Sequence, residues 1–130
     1  MFETGFVYEY WYLWARERDA GEESGRKSRP SCLLLRNERI PDLLFMFPVS
    51  TVATSQGRTA MAVPASECSK AGLKKPSWIY VDEFNVESAS APVDFSSLES
   101  VGRFSDRFLN EVRNLALTEI RARKARLVKR

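Results

Sequence analysis

An alternating aromatic run near the start of the chain constrains the fold most strongly. From Phe6 to Trp14 every even-numbered position is aromatic, and the odd-numbered positions include Val7 and Leu13. This period of two predicts a first β-strand over residues 6–14 with both faces largely apolar. Such aromatic side chains form either a buried core or an exposed platform on which nucleic-acid bases stack. The pattern favours the core and leaves the platform as an alternative.

A β-hairpin is predicted after this strand. Two compact apolar runs, residues 31–35 and 43–47, are separated by a polar segment, and they predict the second and third strands. Pro30 suits the first residue of a strand, because it has no backbone N–H to donate and holds Arg29 in an extended conformation. The sequence therefore places a fixed cation where a loop meets the core.

The register of this hairpin gives Arg29 a set of neighbours. With Leu35 opposite Leu43, the antiparallel register is fixed along both strands. It places Arg29 opposite Val49. The guanidinium group is then expected beside the hydroxyl groups of Ser50-Thr51.

The rest of the chain completes a mainly β fold with some α-helix. Residues 59–63 and 78–81 read as short strands, with a helical turn between them. Ser105 is a good N-cap and starts an amphipathic helix that is predicted to run to residue 130 with a strongly basic end. These elements predict one domain over residues 1–130, a small and strongly curved antiparallel β-barrel or half-barrel capped by the C-terminal helix.

Residues 15–28 have no large apolar side chain and many charges, so they are predicted to form a long mobile loop. Loops of this length are uncommon in a small domain unless they are functional. The segment is therefore either a gate over a binding site or plain disorder.

The composition argues against several kinds of site. The chain has no histidine, which removes the commonest general base and zinc ligand. Cys32 and Cys68 lack the spacing of metal ligands, and Cys32 is expected to be a small buried thiol. We therefore predict no metal and no cofactor. The start of the chain has no signal-peptide pattern and no apolar run long enough to span a bilayer, which predicts a soluble cytoplasmic protein.

Positive charge is concentrated at the C-terminus. Residues 106–130 contain eight lysine and arginine residues and three carboxylates, a balance of +5 in a chain of net charge +3. Such a segment fits a polyanion or an acidic protein as partner. The alternative is a solvated basic helix end, which the helix dipole favours.

Five short motifs follow one another along most of the chain. They are, in chain order, Gly5-Phe6-Val7-Tyr8, Gly21-Glu22-Glu23 through Arg29-Pro30, Pro48-Val49-Ser50-Thr51 followed by Arg58-Thr59-Ala60, Trp78 to Asn85, and Val101-Gly102-Arg103-Phe104-Ser105. In this order they resemble the motifs of the PemK/MazF family of toxin–antitoxin toxins.

The resemblance implies an SH3-like barrel that forms a homodimer and cleaves single-stranded RNA without a metal, until the disordered tail of a cognate antitoxin protein blocks the site. It places the family's essential arginine on Arg29 and its threonine on Ser50, with Thr51 where PemK-type members have serine. Two positions depart from the pattern. Glu22 stands where those members have a loop histidine, and Tyr80 stands where they have the arginine of an Arg-x-Asp pair, of which Asp82 is kept.

These residues predict a division of roles in RNA cleavage by the 2′-hydroxyl. Arg29 is expected to stabilise the phosphorane, because its guanidinium is permanently charged and holds phosphate oxygens bidentately. Ser50 or Thr51 would donate to a phosphate oxygen, and a carboxylate would be the base. The candidates for that base are Glu22, Glu23 and Asp82. The further RNA-binding candidates are Arg26, Lys27, Arg58 and Tyr80.

Two other functions fit the same sequence. One is a non-enzymatic inhibitor on the same barrel, like the CcdB toxins that bind DNA gyrase. The other is a nucleic-acid-binding module without catalysis, which would use the basic tail and the aromatic strand.

Overall fold

The fold is built from eight short strands and three helices, seen in a computed structural model that describes residues 2–53 and 57–129. The strands are β1 Phe6–Tyr10, β2 Arg29–Asn37, β3 Ile40–Ser50, β4 Ala60–Val63, β5 Ser77–Tyr80, β6 Glu83–Ser88, β7 Gly102–Arg103 and β8 Arg126–Val128. The helices are α1 Ala15–Asp19, α2 Ala65–Lys70 and α3 Asp106–Arg121.

Strand β3 is the centre of the sheet. The strands follow the order β4-β5-β3-β2-β1-β7, and β6 also pairs with β3. The first half of β3, from Leu43 to Met46, pairs with β6, whereas Val49 and Ser50 at its end pair with β5. Because one strand passes between two partners on the same edge, the sheet curls into a half-barrel. The predicted fold class, a strongly curved and mainly antiparallel β structure with a C-terminal helix, is confirmed.

The sheet buries both of its faces, as the aromatic run predicts. One cluster contains Val7, Cys32 and Phe47 and packs against Phe108 and Val112 of α3. The other cluster is rich in aromatic side chains, which include Tyr8, Tyr10, Tyr12, Trp14 and Tyr80. Burial raises the pKa of the Cys32 thiol to about 12, so this group is an inert part of the core, as expected.

The aromatic run is core, although the strand that carries it is shorter than predicted. Strand β1 ends at Tyr10 rather than at residue 14, because Tyr12 and Trp14 turn inward beyond the strand. Tyr8, Tyr10 and Tyr12 are each at most 2% exposed. A platform for stacked bases needs accessible rings. The core interpretation is therefore confirmed, and the alternative is wrong for these side chains.

The hairpin exists, but its predicted register is wrong. Leu35 lies opposite Phe45 rather than Leu43, and two irregularities interrupt the β2–β3 pairing on either side of Leu35. The strands are also longer than predicted, because they continue to Asn37 and Ile40 and leave a tight two-residue turn. At the other end Ser31 pairs with Pro48. Two places further, this observed register brings Arg29 opposite Ser50, one residue from the predicted Val49.

The predicted loop over residues 15–28 is wrong at its start, where α1 forms. The Glu17 carboxylate accepts the backbone N–H of Trp14 at 3.1 Å, which caps the helix from within its first turn. The side chain of Asp19 at the other end pairs with Arg126 of β8 at 2.5 Å. A short charged helix is thus held by contacts that its sequence alone does not indicate.

The C-terminal helix begins where predicted and ends early. Ser105 accepts the backbone N–H of Phe108, as an N-cap does, but the helix stops at Arg121. Arg123 then takes a left-handed conformation with φ 59°, and the chain continues as β8 beside β6. Val128 is 1% exposed, so its burial accounts for the turn back to the sheet. A helix to residue 130 is therefore wrong, and Arg130 itself lies outside the described residues.

The start of α3 depends on one buried carboxylate from another helix. Glu67 of α2 accepts the backbone N–H and the hydroxyl of Ser105 at 2.9 and 2.7 Å. We expect Glu67→Ala to lower the free energy of unfolding by about 1–2 kcal/mol in urea titrations, because both donors lose their acceptor. The matched control is Glu111→Ala, at an exposed position of α3. An equal loss in both variants would contradict this role of Glu67.

Candidate functional site

A pocket of about 330 Å³ opens where β2 begins and where β3 and β5 end. We call it the cationic pocket. Its lining residues are Trp14, Arg16, Lys27, Arg29, Ser50, Val52, Ala53, Arg58 and Tyr80. Four of these nine residues carry a positive charge and none carries a carboxylate, so the pocket is suited to an anion.

The ends of two strands position Arg29 and Ser50. Arg29 is the first residue of β2 and pairs with Tyr10 of β1, while Ser50 is the last residue of β3 and is 8% exposed. The Ser50 hydroxyl oxygen accepts the backbone N–H of Val52 at 3.1 Å. Because the oxygen acts there as an acceptor, the hydroxyl proton is available to a ligand in the pocket.

The ring of Trp14 orders the guanidinium groups around it. The guanidinium carbon of Arg16 lies 4.7 Å from the ring centroid, and that of Arg29 lies 5.1 Å from it. Arg58 lies 4.8 Å from the ring centroid of Tyr80. Both rings are at most 4% exposed, so they serve as walls that hold cations by cation–π attraction. Stacking of a nucleotide base on either ring is excluded by this burial.

Arg29 keeps its charge in an environment that opposes it. Burial lowers the pKa of its guanidinium; the charge of Glu17 acts against this change and that of Arg16 adds to it. Its Nε atom is buried and has no hydrogen-bond partner among the described residues. A buried donor without an acceptor is costly. An anion in the pocket would remove that cost.

Arg58 is held from behind by two carboxylates. Its Nε and Nη2 donate to the two oxygens of Asp82 at 2.7 and 2.9 Å, and Nη2 also donates to Glu83 at 3.1 Å. These hydrogen bonds, those to Asp82 above all, raise the pKa of Arg58 against the effect of burial. The backbone N–H of Thr59 donates to Asp82 as well, at 3.0 Å. The guanidinium group is thereby fixed with its ring contact to Tyr80.

Glu83 connects Arg58 to the segment that carries Trp14. Its Oε1 atom accepts the hydroxyl of Tyr12 at 3.0 Å and the backbone N–H of Ala15 at 2.9 Å. Burial, together with the adjacent carboxylate, raises the pKa of Tyr12 well above its usual value, so this hydroxyl stays protonated and donates. One buried carboxylate therefore fixes two walls of the cationic pocket.

Burial raises the pKa of Glu83 above its ordinary value of 4.5, although Ala15, Tyr12 and Arg58 act in the opposite direction. The folded protein then binds this proton more tightly than the unfolded chain. Stability from this group is present below about pH 4.5 and falls as the pH rises through the folded-state pKa. We therefore expect the free energy of unfolding of the wild type, minus that of Glu83→Gln, to decrease with pH in this window. Urea titrations at a series of pH values test it, and a difference that increases with pH would contradict it.

No protein-family model matches this sequence, and no curated protein matches it. The resemblance to the PemK/MazF family therefore stays a prediction from the five motifs. No group of side chains suited to holding a metal ion occurs among residues 2–53 and 57–129. Within the same residues, no helix is long and apolar enough to cross a membrane.

The structure brings five of the predicted site residues together and leaves five apart. Those that line the cationic pocket are Lys27, Arg29, Ser50, Arg58 and Tyr80. Asp82 lies behind Arg58 and lines a second pocket of about 460 Å³ on the other side. Thr51 and Glu23 are exposed and line neither pocket. Glu22 pairs with Arg26 at 2.8 Å, so these two side chains engage each other.

Three residues of the candidate site are missing from the sequence-based prediction. Trp14 and Arg16 line the pocket, and Glu83 holds Arg58. The sequence places Trp14 at the end of an aromatic strand and Arg16 in a mobile loop. In the structure Trp14 lies beyond β1, and Arg16 lies on α1. Glu83 follows Asp82 directly and begins β6. The apolar run from Trp78 to Val81 is the sequence signal that this part of the chain is buried.

Proposed function

We propose that this chain is a metal-independent endoribonuclease of the PemK/MazF type, which cleaves single-stranded RNA through attack of the 2′-hydroxyl on the neighbouring phosphate. In this proposal it is the cytoplasmic toxin of a toxin–antitoxin system, acts as a homodimer and is blocked by a cognate antitoxin protein. The observation that carries the proposal is the cationic pocket. Arg29 and Ser50 both line it, and its lining contains no carboxylate.

Electrostatic stabilisation is the part of the reaction that these side chains support best. In this reaction the 2′-oxygen loses its proton to solvent water and bonds to phosphorus, while the bond from phosphorus to the 5′-oxygen breaks and that oxygen takes a proton from water. The phosphorane between these states carries more negative charge than the diester, and preorganised donors aimed at that charge lower the barrier. Arg29 brings a guanidinium group that lines the pocket, and Ser50 brings a hydroxyl proton. Both donors are fixed by strand ends, so little reorganisation accompanies the reaction.

The arginine that the resemblance expects at position 80 has a replacement in space. Arg58 lies over the Tyr80 ring and donates two hydrogen bonds to Asp82. An arginine paired with this aspartate is thus supplied from two residues before β4 instead of from β5. In the proposed reaction Arg58 is a second cation for the phosphate, and Asp82 is a positioning residue for it.

A second candidate is favoured by one observation. None of the three carboxylates predicted as base lines the cationic pocket: Glu22 is paired, Glu23 is exposed and Asp82 is engaged by Arg58. Nucleic-acid binding without cleavage needs cations and no base. The same pocket therefore also fits a catalytically weakened RNA-binding barrel.

Purified protein incubated with single-stranded RNAs of varied sequence in EDTA separates the two candidates. The endoribonuclease is expected to cut at a short preferred sequence and to leave 2′,3′-cyclic phosphate ends, because the 2′-hydroxyl is the nucleophile. Uncut RNA that binds with a steep dependence on salt concentration would contradict the enzyme and support the binding barrel.

A further inference from the structure

The cationic pocket holds more positive charge than the carboxylates near it balance. Arg58 is matched by Asp82 and Glu83 behind it. Arg16, Lys27 and Arg29 form no ion pair with a described carboxylate. The charge of Glu17 acts on Arg29. The Glu17 carboxylate also lies 3.8 Å from the Nε atom of Arg26, and neither Glu17 nor Arg26 lines the pocket. Three cations are therefore left to share one cavity.

The size of the pocket limits what can neutralise these charges. Its volume of about 330 Å³ lies at the lower end of the range for small-molecule sites. One nucleotide fits such a volume, whereas several nucleotides of a strand do not. An internal phosphodiester of that nucleotide brings a single negative charge. It would leave most of the positive charge uncompensated.

We infer that the cationic pocket is a binding site for a phosphate monoester, the dianionic terminal phosphate of a nucleotide, in preference to a monoanionic phosphodiester. The inference rests on the proposed function in one respect, which is that this pocket is the phosphate site. It adds the charge class of the ligand. A monoester carries a charge near −2 at neutral pH and three strong acceptor oxygens.

The donors around the pocket match those three oxygens. The guanidinium group of Arg29, which lines the pocket, and the hydroxyl of Ser50 are donors for such oxygens. Lys27 is exposed at the rim and supplies a point charge. Hydrogen bonds in which the donor or the acceptor is ionised are about twice as strong as neutral ones. The second negative charge of the ligand adds Coulomb attraction to the surrounding cations and so increases the affinity.

This preference has a consequence for the proposed reaction. The phosphorane formed during attack is more negative than the diester, and a site complementary to extra negative charge binds it more tightly than the substrate. The same complementarity retains RNA that ends in a 3′-monophosphate. An end with a 2′,3′-cyclic phosphate has one negative charge and leaves more readily.

Isothermal titration calorimetry with three adenosine nucleotides and inorganic phosphate tests the inference. Adenosine 3′-monophosphate and its 2′,3′-cyclic form are nearly equal in size and differ in charge. At about pH 7.5, where the monoester is a dianion, we expect the 3′-monophosphate to bind about tenfold more tightly than the cyclic form. Adenosine 5′-monophosphate shows whether the other terminus is accepted equally. Inorganic phosphate binding as tightly as both monoesters would overturn the assignment to a nucleotide end.

Two variants localise the effect. Lys27→Ala, at an exposed position, is expected to weaken binding of the 3′-monophosphate about threefold and to change the cyclic form less. Lys124→Ala, in the second pocket behind Arg58, is expected to leave both affinities unchanged. Equal affinities for the 3′-monophosphate and the cyclic form would overturn the inference, whether or not RNA is cut. A dianion preference without any RNA cleavage would contradict the proposed function alone.

Discussion

Under the proposed endoribonuclease function, Arg29→Ala is expected to reduce the rate of RNA cleavage at least about a hundredfold and to leave the protein folded. The guanidinium group is the only cation of the cationic pocket whose donor is both buried and unpartnered among the described residues. Arg29 also lines the pocket, so in the proposed reaction its charge acts on the transition state. A donor aimed at developing charge in a partly buried site typically contributes two to three orders of magnitude in rate.

The stability of this variant distinguishes a functional role from a structural one. Burial of Arg29 lowers its pKa, and no carboxylate forms an ion pair with it among the described residues. Removing a poorly compensated charge from such a place is expected to leave the free energy of unfolding unchanged or to raise it. Cleavage assays and urea titrations on the same preparation measure both quantities.

Arg29→Lys and Arg39→Ala complete the comparison. The lysine keeps a charge but not the fork of donors, so we expect most of the activity to be lost. Arg39 lies in the exposed β2–β3 turn, far along the strands from Ser50, and its replacement by alanine is expected to preserve activity. Full activity of Arg29→Ala, or an equal loss in Arg39→Ala, would show that the cationic pocket is not the reaction site.

The largest expected effect on stability comes from Arg58→Ala. This change leaves Asp82 and Glu83, whose side chains are 11% and 7% exposed, without their cation. Breaking a buried ion pair from one side typically costs 3–5 kcal/mol. Because the Arg58 side chain is 29% exposed, we expect a loss of about 3 kcal/mol in the free energy of unfolding, at the lower end of that range.

A double-mutant cycle and a matched control test this explanation. In the Arg58→Ala background, Glu83→Gln removes one uncompensated charge and is expected to restore a substantial part of the lost stability. Arg126→Ala breaks the pair with Asp19, in which both side chains are at least half exposed, and should cost much less than Arg58→Ala. A comparable loss in both single variants, or no recovery in the double variant, would contradict the role of Arg58 as the charge partner of Glu83.

The strands and the main helix were predictable because their patterns are strong and local. The alternation from Phe6 onward and the helical spacing after Ser105 each contain enough apolar residues to define an element. The curvature followed from many short strands with a single late helix. The strand β8 was not predictable, because Arg126–Val128 is exposed apart from Val128 and becomes a strand only through its parallel partner β6.

The candidate site was also predictable only in part. Arg29 and Ser50 were placed together from hairpin spacing, and an error of one residue in the register did not separate them, because both lie at strand ends beside one pocket. Arg58 was expected only to hold the RNA backbone. Its partner becomes visible from the β4–β5 register, in which Ala60 pairs with Tyr80. Two places further, that register brings Arg58 opposite Asp82.

The role of a carboxylate base was the least predictable part of the site. The sequence favours Asp82 for the catalytic site and offers Glu22 and Glu23 as further candidates for the base, but it does not show which side chains these carboxylates contact. Glu22 is bound by Arg26, four residues further along the chain. Asp82 is bound by Arg58, whose distance in sequence conceals the contact. The first pair is local in sequence, whereas the second is decided by packing, which no local pattern encodes.

Cleavage of one RNA oligonucleotide and of its singly 2′-deoxy counterpart tests the central claim most directly. The oligonucleotide contains the preferred site, and its counterpart lacks only the 2′-hydroxyl at the cut position. In EDTA, the first is expected to be cut with a 2′,3′-cyclic phosphate end, and the second to bind equally well and remain intact. Cutting of both would contradict attack by the 2′-hydroxyl, and binding without cutting of either would contradict an endoribonuclease.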